Sequence, residues 1–127
     1  MPSMSTKRRL SQVSSVAPAA KTTTSTGSSA DLAAYEGAVA LLMVGTVTDG
    51  THTPKLQESN DNSTFTDVVA GDLEGTFAAL ATGVNQAVGY KGRQRYIKVV
   101  VTVAGATTGG VYGALVLRGD PHQTPAP

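Results

Sequence analysis

Arg95-Tyr96-Ile97-Lys98-Val99-Val100-Val101-Thr102-Val103-Ala104 is the stretch on which the fold turns. Side chains alternate across an extended strand, so Tyr96, Lys98, Val100 and Thr102 share one face while Ile97, Val99, Val101 and Val103 share the other. The second face is wholly apolar and β-branched. It predicts a strand with that face turned into a core.

Working outward, the neighbouring runs are short and separated by turn residues. Downstream, Gly105–Gly110 reads as a flexible inter-strand loop and Val111–Leu117 as a final strand. Upstream, Gly92-Arg93-Gln94 reads as a turn after an extended run, Asn85–Lys91. Gly37–Val47 is apolar almost throughout and predicts a buried strand, ended by Thr48-Asp49-Gly50-Thr51, a hairpin signal. Thr53–Glu58 follows, with Pro54 near its start where a missing N–H is tolerated. Ser59-Asn60-Asp61-Asn62-Ser63 is a polar turn, Thr64–Val69 a further strand, and Ala70–Val84 a long loop or a turn of helix. Six or seven strands with no sustained helical period predict an all-β chain, an antiparallel β-sandwich or jelly roll with an extended N-terminal arm.

The 127 residues suffice for one core and not for two. The expected organisation is a flexible basic arm over residues 1–30, a sandwich over 31–118 and a Pro-containing tail over 119–127. The arm holds Leu10, Val13 and Val16 among Ser, Thr, Ala and Lys, too little apolar area to offset the entropy of ordering. It carries Lys7, Arg8, Arg9 and Lys21 with no acid, a charge of +4; residues 31–127 carry six bases and nine acids, a charge of −3. A basic arm therefore precedes a mildly acidic body. No apolar stretch follows Lys7-Arg8-Arg9, so a secretory signal is not expected. No window reaches the roughly 20 apolar residues that cross a bilayer, so no membrane partner is expected.

Catalytic chemistry finds little support. Cysteine is absent, which removes thiolate metal sites, disulfides and a cysteine nucleophile. His52 and His122 lack a second ligand at metal-binding spacing and read as solvent-exposed histidines. Asn60-Asp61-Asn62 lacks the spaced oxygens of a calcium loop and reads as an Asx-rich turn. Gly105–Gly110 is glycine-rich, yet it lies between strands without a following Lys, unlike a phosphate cradle. No nucleophile elbow occurs. No catalytic residue, metal site or cofactor is expected. The one positive patch of the body is Lys91, Arg93, Arg95 and Lys98 interleaved with Tyr90 and Tyr96; with Lys7, Arg8 and Arg9 it is the candidate partner-binding set. Such a patch suits an acidic protein surface or phosphates, and its plainer reading is a solvated hairpin tip.

Three stretches carry a family resemblance. Gly45-Thr46-Val47-Thr48-Asp49-Gly50-Thr51, Pro54-Lys55-Leu56-Gln57-Glu58-Ser59-Asn60-Asp61 with Thr64-Phe65-Thr66-Asp67-Val68, and Gly89-Tyr90-Lys91-Gly92 with Arg95–Val101 resemble small proteins encoded in the head-morphogenesis region of tailed phages. The resemblance covers residues 45–118 and brings no active-site residues. It implies a non-enzymatic virion component, first a capsid decoration (cement) protein, with a head-tail connector, head-fibre or tail-associated protein as the alternative. The implied partners are the major capsid protein and copies of the chain itself, as a homo-oligomer such as a trimer, in the assembled virion and not nucleic acid. From a different class, a carbohydrate-binding sandwich is the rival. Sugar platforms expose aromatic rings, and this chain has no Trp, four Tyr and two Phe.

Overall fold

The computed structural model describes residues 6–121, with side chains from Arg8 to Asp120. A single helical turn, α1 (Thr6–Arg9), precedes ten strands: β1 (Ser11–Lys21), β2 (Ser25–Thr26), β3 (Ala30–Asp31), β4 (Tyr35–Val47), β5 (Thr51–Ser59), β6 (Thr66–Asp67), β7 (Leu73–Glu74), β8 (Gln86–Tyr90), β9 (Tyr96–Ala104) and β10 (Gly110–Pro121). One sheet has the order β1-β10-β4-β8-β7 and the other β2-β9-β5-β6, with β3 also paired to β9. All pairings are antiparallel. The chain passes from one sheet to the other after β1, β3, β6, β8 and β9, and between β4 and β5, which is the jelly-roll wrap.

The alternation read in β9 is what builds the core. Ile97, Val99 and Val101 are fully buried in one cluster with Leu56 of β5, Ala40, Leu42 and Val44 of β4, Tyr90 of β8, and Tyr112, Ala114 and Val116 of β10. Val103 is half-buried because it lies at the strand end. Val100, on the opposite face, is nonetheless buried, flanked by Thr26 and Lys55. Pro54 sits where β5 is paired with β9 alone, since β6 reaches only Gln57 and Glu58.

The long segment between β6 and β8 contains a 3-10 turn (Ala70–Asp72) and β7. Beyond these it is tied down: Leu80 is buried and its amide donates to His52 O, and the Gln86 side chain bonds both the N–H and the C=O of Ala78. Thr82 Oγ1 accepts from Val47 N–H at 2.9 Å in the same way.

Three expectations are corrected. The turn at Asp49-Gly50 is not a hairpin turn, because β4 and β5 belong to different sheets. It is a corner that crosses the gap between sheets, as is Gly92-Arg93-Gln94. The tail begins later than expected, since Gly119–Pro121 continues β10 opposite Gly37 and Tyr35. The largest difference concerns residues 1–30. Ser11–Lys21 is an edge strand of the first sheet, paired with β10 from Ser11↔Arg118 to Lys21↔Gly110. The ordering comes from main-chain pairing, from Val16 buried in the core with Val13 packed against it, and from one polar side chain. A bulge between Ser14 and Val16 turns both Ser15 and Val16 inward. Ser15 Oγ then donates to Ser28 O at 2.8 Å and accepts from Val99 N–H at 3.0 Å, linking the two sheets. Gly27 lies so close that a Cβ there would collide with Ser15 Oγ and with Val99 O.

A chain beginning at Ser29 loses β1 and β2, bares the edge of β10 and leaves Val99 N–H without its partner. It is expected to be insoluble or to melt without cooperativity by circular dichroism, whereas one beginning at Ser5 melts like the full chain. Equal cooperative melting of all three would contradict the pairing of β1.

Candidate partner-binding surfaces

The chemistry-bearing side chains are largely turned to internal use. His52 is fully buried, correcting the solvent-exposed reading. Its Nε2 lies 2.9 Å from Asp49 O, a carbonyl that can only accept, so Nε2 carries the hydrogen. Nδ1 then accepts from Tyr112 Oη at 2.9 Å, and the two rings meet edge to face with centroids 5.2 Å apart. Burial pushes the Tyr112 hydroxyl up to about 12, so it stays a donor. His122 lies outside the described residues.

The glycine-rich loop after β9 does collect an oxyanion, but the oxyanion belongs to the chain. Asp49 Oδ1 accepts from the backbone N–H of Thr107 and Thr108 at 3.1 Å and of Gly109 at 2.6 Å. These bonds, Gly109 first, hold the Asp49 carboxyl below its ordinary range. The loop is thus pinned where a flexible one was expected. Gly109 has φ +82°, and a Cβ there would strike Lys21 O. The Asx turn is as expected: Asp61 Oδ1 accepts from Thr64 N–H, Ser59 Oγ and Ser63 N–H, which lowers its pKa to about 2. Among the described residues no three His, Asp or Glu side chains could hold a metal, and no helix is long and apolar enough to cross a membrane.

The predicted basic set divides. Arg95 forms a two-pronged pair with Asp31, Nε–Oδ1 and Nη2–Oδ2 both 2.9 Å, and its guanidinium lies 5.0 Å from the Tyr96 ring. Both partners are about half exposed, so solvent screens the pair and it adds little to stability. Lys98 Nζ sits 3.9 Å from the centre of the Phe65 ring. Tyr90 is buried: its hydroxyl donates to Glu58 Oε1 at 2.7 Å and accepts from Gln94 N–H, and burial with that acidic partner raises its pKa well above the ordinary value. Gly92 is required here, since a Cβ would meet the Tyr90 hydroxyl. Lys91 and Arg93 remain exposed, as do Arg8 and Arg9; the Lys7 side chain lies outside the described residues.

Arg9, Lys91 and Arg93, far apart in sequence, converge at one end of the sandwich. A cleft of about 290 Å³ is lined by Leu10, Lys91 and Asp120, and Arg9 lines an adjoining one beside Leu10 and Asp120. A third, of about 620 Å³, shares Gly37, Ala38 and Tyr90 with the first and adds Glu36, Arg93 and Arg95. Acids are mixed among the bases, so this end is polar and not uniformly positive. Of the six aromatic rings, Tyr35, Tyr90 and Tyr112 are buried, and Tyr96, Phe65 and Phe77 are half-buried, which leaves no open stacking platform for a sugar.

Sequence reasoning missed a second surface. Along β4 the residues turned away from the core are Val39, Leu41 and Met43, and along β10 they are Val111, Leu115 and Leu117. Met43 is 60% and Val111 46% exposed. Ala87 and Gly89 continue the face across β8. The outer face of the second sheet is built differently, with Lys55 paired to Asp67 at 3.1 Å, Gln57, Lys98, Thr53 and Thr102. The signal was present in the sequence: in an antiparallel sandwich, strands apolar on both faces imply cover on both.

No protein-family model matches the chain, and no curated protein matches it. Among solved structures, a protein of Bacillus endospore appendages, which form disulfide-linked pili, is similar at 18% identity over 88% of this chain and 87% of that one, with a TM-score of 0.48. A chain of infectious bursal disease virus, Gx strain, is similar at 13% identity over 86% of this chain, with a TM-score of 0.45. The present chain spans 31% of that viral chain. Neither of these two is a tailed-phage protein.

Two outcomes follow from the polar corner. Tyr112→Phe removes the donor to a buried Nδ1 and is expected to cost about 1–3 kcal/mol in urea unfolding, with a smaller further loss when combined with His52→Phe than His52→Phe causes alone. Asp31, Asp49, Asp61 and Asp67 all have pKa values lowered from 3.8 in the fold. A lowered pKa means stability that is complete above the unfolded value and lost as pH falls through the folded one. Melting temperature is therefore expected to hold down to about pH 5 and to fall between about pH 4 and 2, with a shallower fall in Asp49→Asn.

Proposed function

We propose that the protein is a structural subunit of a tailed-phage virion, a decoration protein that binds and stabilises the capsid shell. The observation that carries this reading is the meeting of Arg9 with Lys91, Arg93 and Arg95 around adjoining clefts at one end of a rigid sandwich. A mixed polar end with shallow clefts suits a protein surface carrying acids better than a polyanion, against which Glu36 and Asp120 would be repelled. The rest of the molecule supports a binding role without catalysis. His52 uses both ring nitrogens inside the fold, Asp49 and Asp61 accept from their own loops, and Tyr90 and Glu58 bond each other. A subunit that must persist outside a cell is served by such internal satisfaction of polar groups. The resemblance over residues 45–118 supplies the virion setting.

The test adds purified protein to undecorated shells of the cognate major capsid protein. Many copies per shell and a higher opening temperature are expected, with binding that weakens as salt rises. An Arg9→Glu, Lys91→Glu, Arg93→Glu variant is expected to bind at least about tenfold more weakly, the scale of losing about 1.4 kcal/mol from charged contacts. Absence of binding by the unaltered protein defeats the decoration role, and tight binding by the variant removes the basic end as the contact.

A further inference from the structure

The outer face of the first sheet adjoins the basic end at the cleft beside Gly37 and Gly119, and most of it is not suited to water. From Gly37 to Gly45 along β4, and from Val111 to Gly119 along β10, no outward position is charged. Glycines shape it. Gly37 and Gly119 lie directly opposite each other at one end, and Gly113 lies opposite Met43 near the other. Between them Leu41 and Leu115 pair across the strands as a ridge. Hollows of about 290 Å³ and about 410 Å³ flank that ridge, one floored by Gly37 and Gly119, the other by Gly45 and Gly113.

We infer that a second copy of this chain covers this face, sheet against sheet, through a two-fold axis that crosses the strands at Leu41 and Leu115. The inference rests on the structural-subunit reading and adds the surface by which subunits pair. Three features select a second copy as the occupant. Over β4 and β10 the face is uncharged and meets itself without like-charge repulsion, as a two-fold pair requires of one patch facing its own image, and the charges that rim its Gly37–Gly119 hollow are of both signs, Lys91 beside Glu74 and Asp120. That axis brings the Met43 end of one copy over the Gly37–Gly119 end of the other, so a projecting side chain faces a hollow on both sides. The size also suffices. Eight steps of about 3.3 Å along β4 and four strands about 4.8 Å apart give roughly 500 Å² per copy, or about 1,000 Å² for the pair, which reaches the area a specific interface needs. Sheets packed this way lie about 10 Å apart with strands within about 30° of alignment, the arrangement already present inside each sandwich.

The test is sedimentation velocity of the full chain in the absence of shells, with shell binding measured separately. The unaltered protein is expected to be a dimer. Met43→Glu, at an exposed position where folding is not at risk, is expected to weaken the dimer about thirtyfold or more, the scale of a central contact, while its circular dichroism melt stays cooperative. Leu115→Lys is expected to abolish the dimer, and Thr102→Lys on the other sheet to leave it intact. A monomeric unaltered protein overturns the inference, and so does a dimer that survives both Met43→Glu and Leu115→Lys. Loss of shell binding in Met43→Glu from a monomeric parent would assign the face to the shell instead, which also overturns it. Because shells are absent from the first measurement, a dimer that binds no shell would refute the decoration role while leaving this pairing in place.

Discussion

The antiparallel pairing of β10 with β4, from Gly110↔Val47 to Pro121↔Tyr35, is the interaction on which the rest of the structure depends. Its inward side chains, Val116, Ala114 and Tyr112 against Ala40, Leu42 and Val44, form half of the core that β9 closes from the other sheet. Its flanks accept β1 on one side and β8 on the other. Its outward side chains are the uncharged face. A single pair of strands therefore sets both the stability of the subunit and the surface it presents, and a slip of one residue would exchange core and surface along its whole length.

A wrap that repeatedly crosses between sheets must bring backbone amides and carbonyls through its corners, where no ladder satisfies them. This chain meets that requirement with side chains. Asp49 takes three amides of the β9–β10 corner, and His52 joins the Asp49 carbonyl to Tyr112 in the core. Tyr90 and Glu58 do the same at the opposite end, where Gln94 N–H is accepted by the Tyr90 hydroxyl. Ser15 spans the opening between β1 and β9. The polar residues that a search for catalysis would single out are those the corners consume.

Much of this architecture was legible in the sequence, and the exceptions share a cause. Alternation in β9 revealed the core face because burial there is a property of side chains, and Ile97, Val99 and Val101 carry it in one run. The strand Ser11–Lys21 was hidden because most of its side chains stay exposed; what orders it is main-chain pairing to β10 and a bulge that turns the adjacent Ser15 and Val16 inward together, which leaves no periodic trace. Asp49-Gly50 has hairpin chemistry, but turn residues specify local bending and not which sheet the next strand joins. His52 was unreadable for a related reason, since its partner Tyr112 lies 60 residues away. At the basic end, Lys91 and Arg93 were found as a local cluster, while their meeting with Arg9 required the wrap.

The contrast between the two outer faces bears on how such a subunit can serve an assembly. The second sheet is covered with Lys55, Asp67, Gln57, Lys98 and several threonines, groups that keep a face hydrated and resist stacking. The first sheet offers methyl groups and glycine hollows over most of its width. A subunit with one wet face, one dry face and a polar end presents three surfaces of different chemistry, the last two adjoining at the cleft beside Gly37 and Gly119. The dry face gains by burial alone, at about 25 cal/mol per Å² of apolar area, and is insensitive to salt. The charged end gains by attraction that salt weakens. Contacts of the two kinds respond differently to ionic strength, so an assembly using both would keep one set of contacts under conditions that loosen the other.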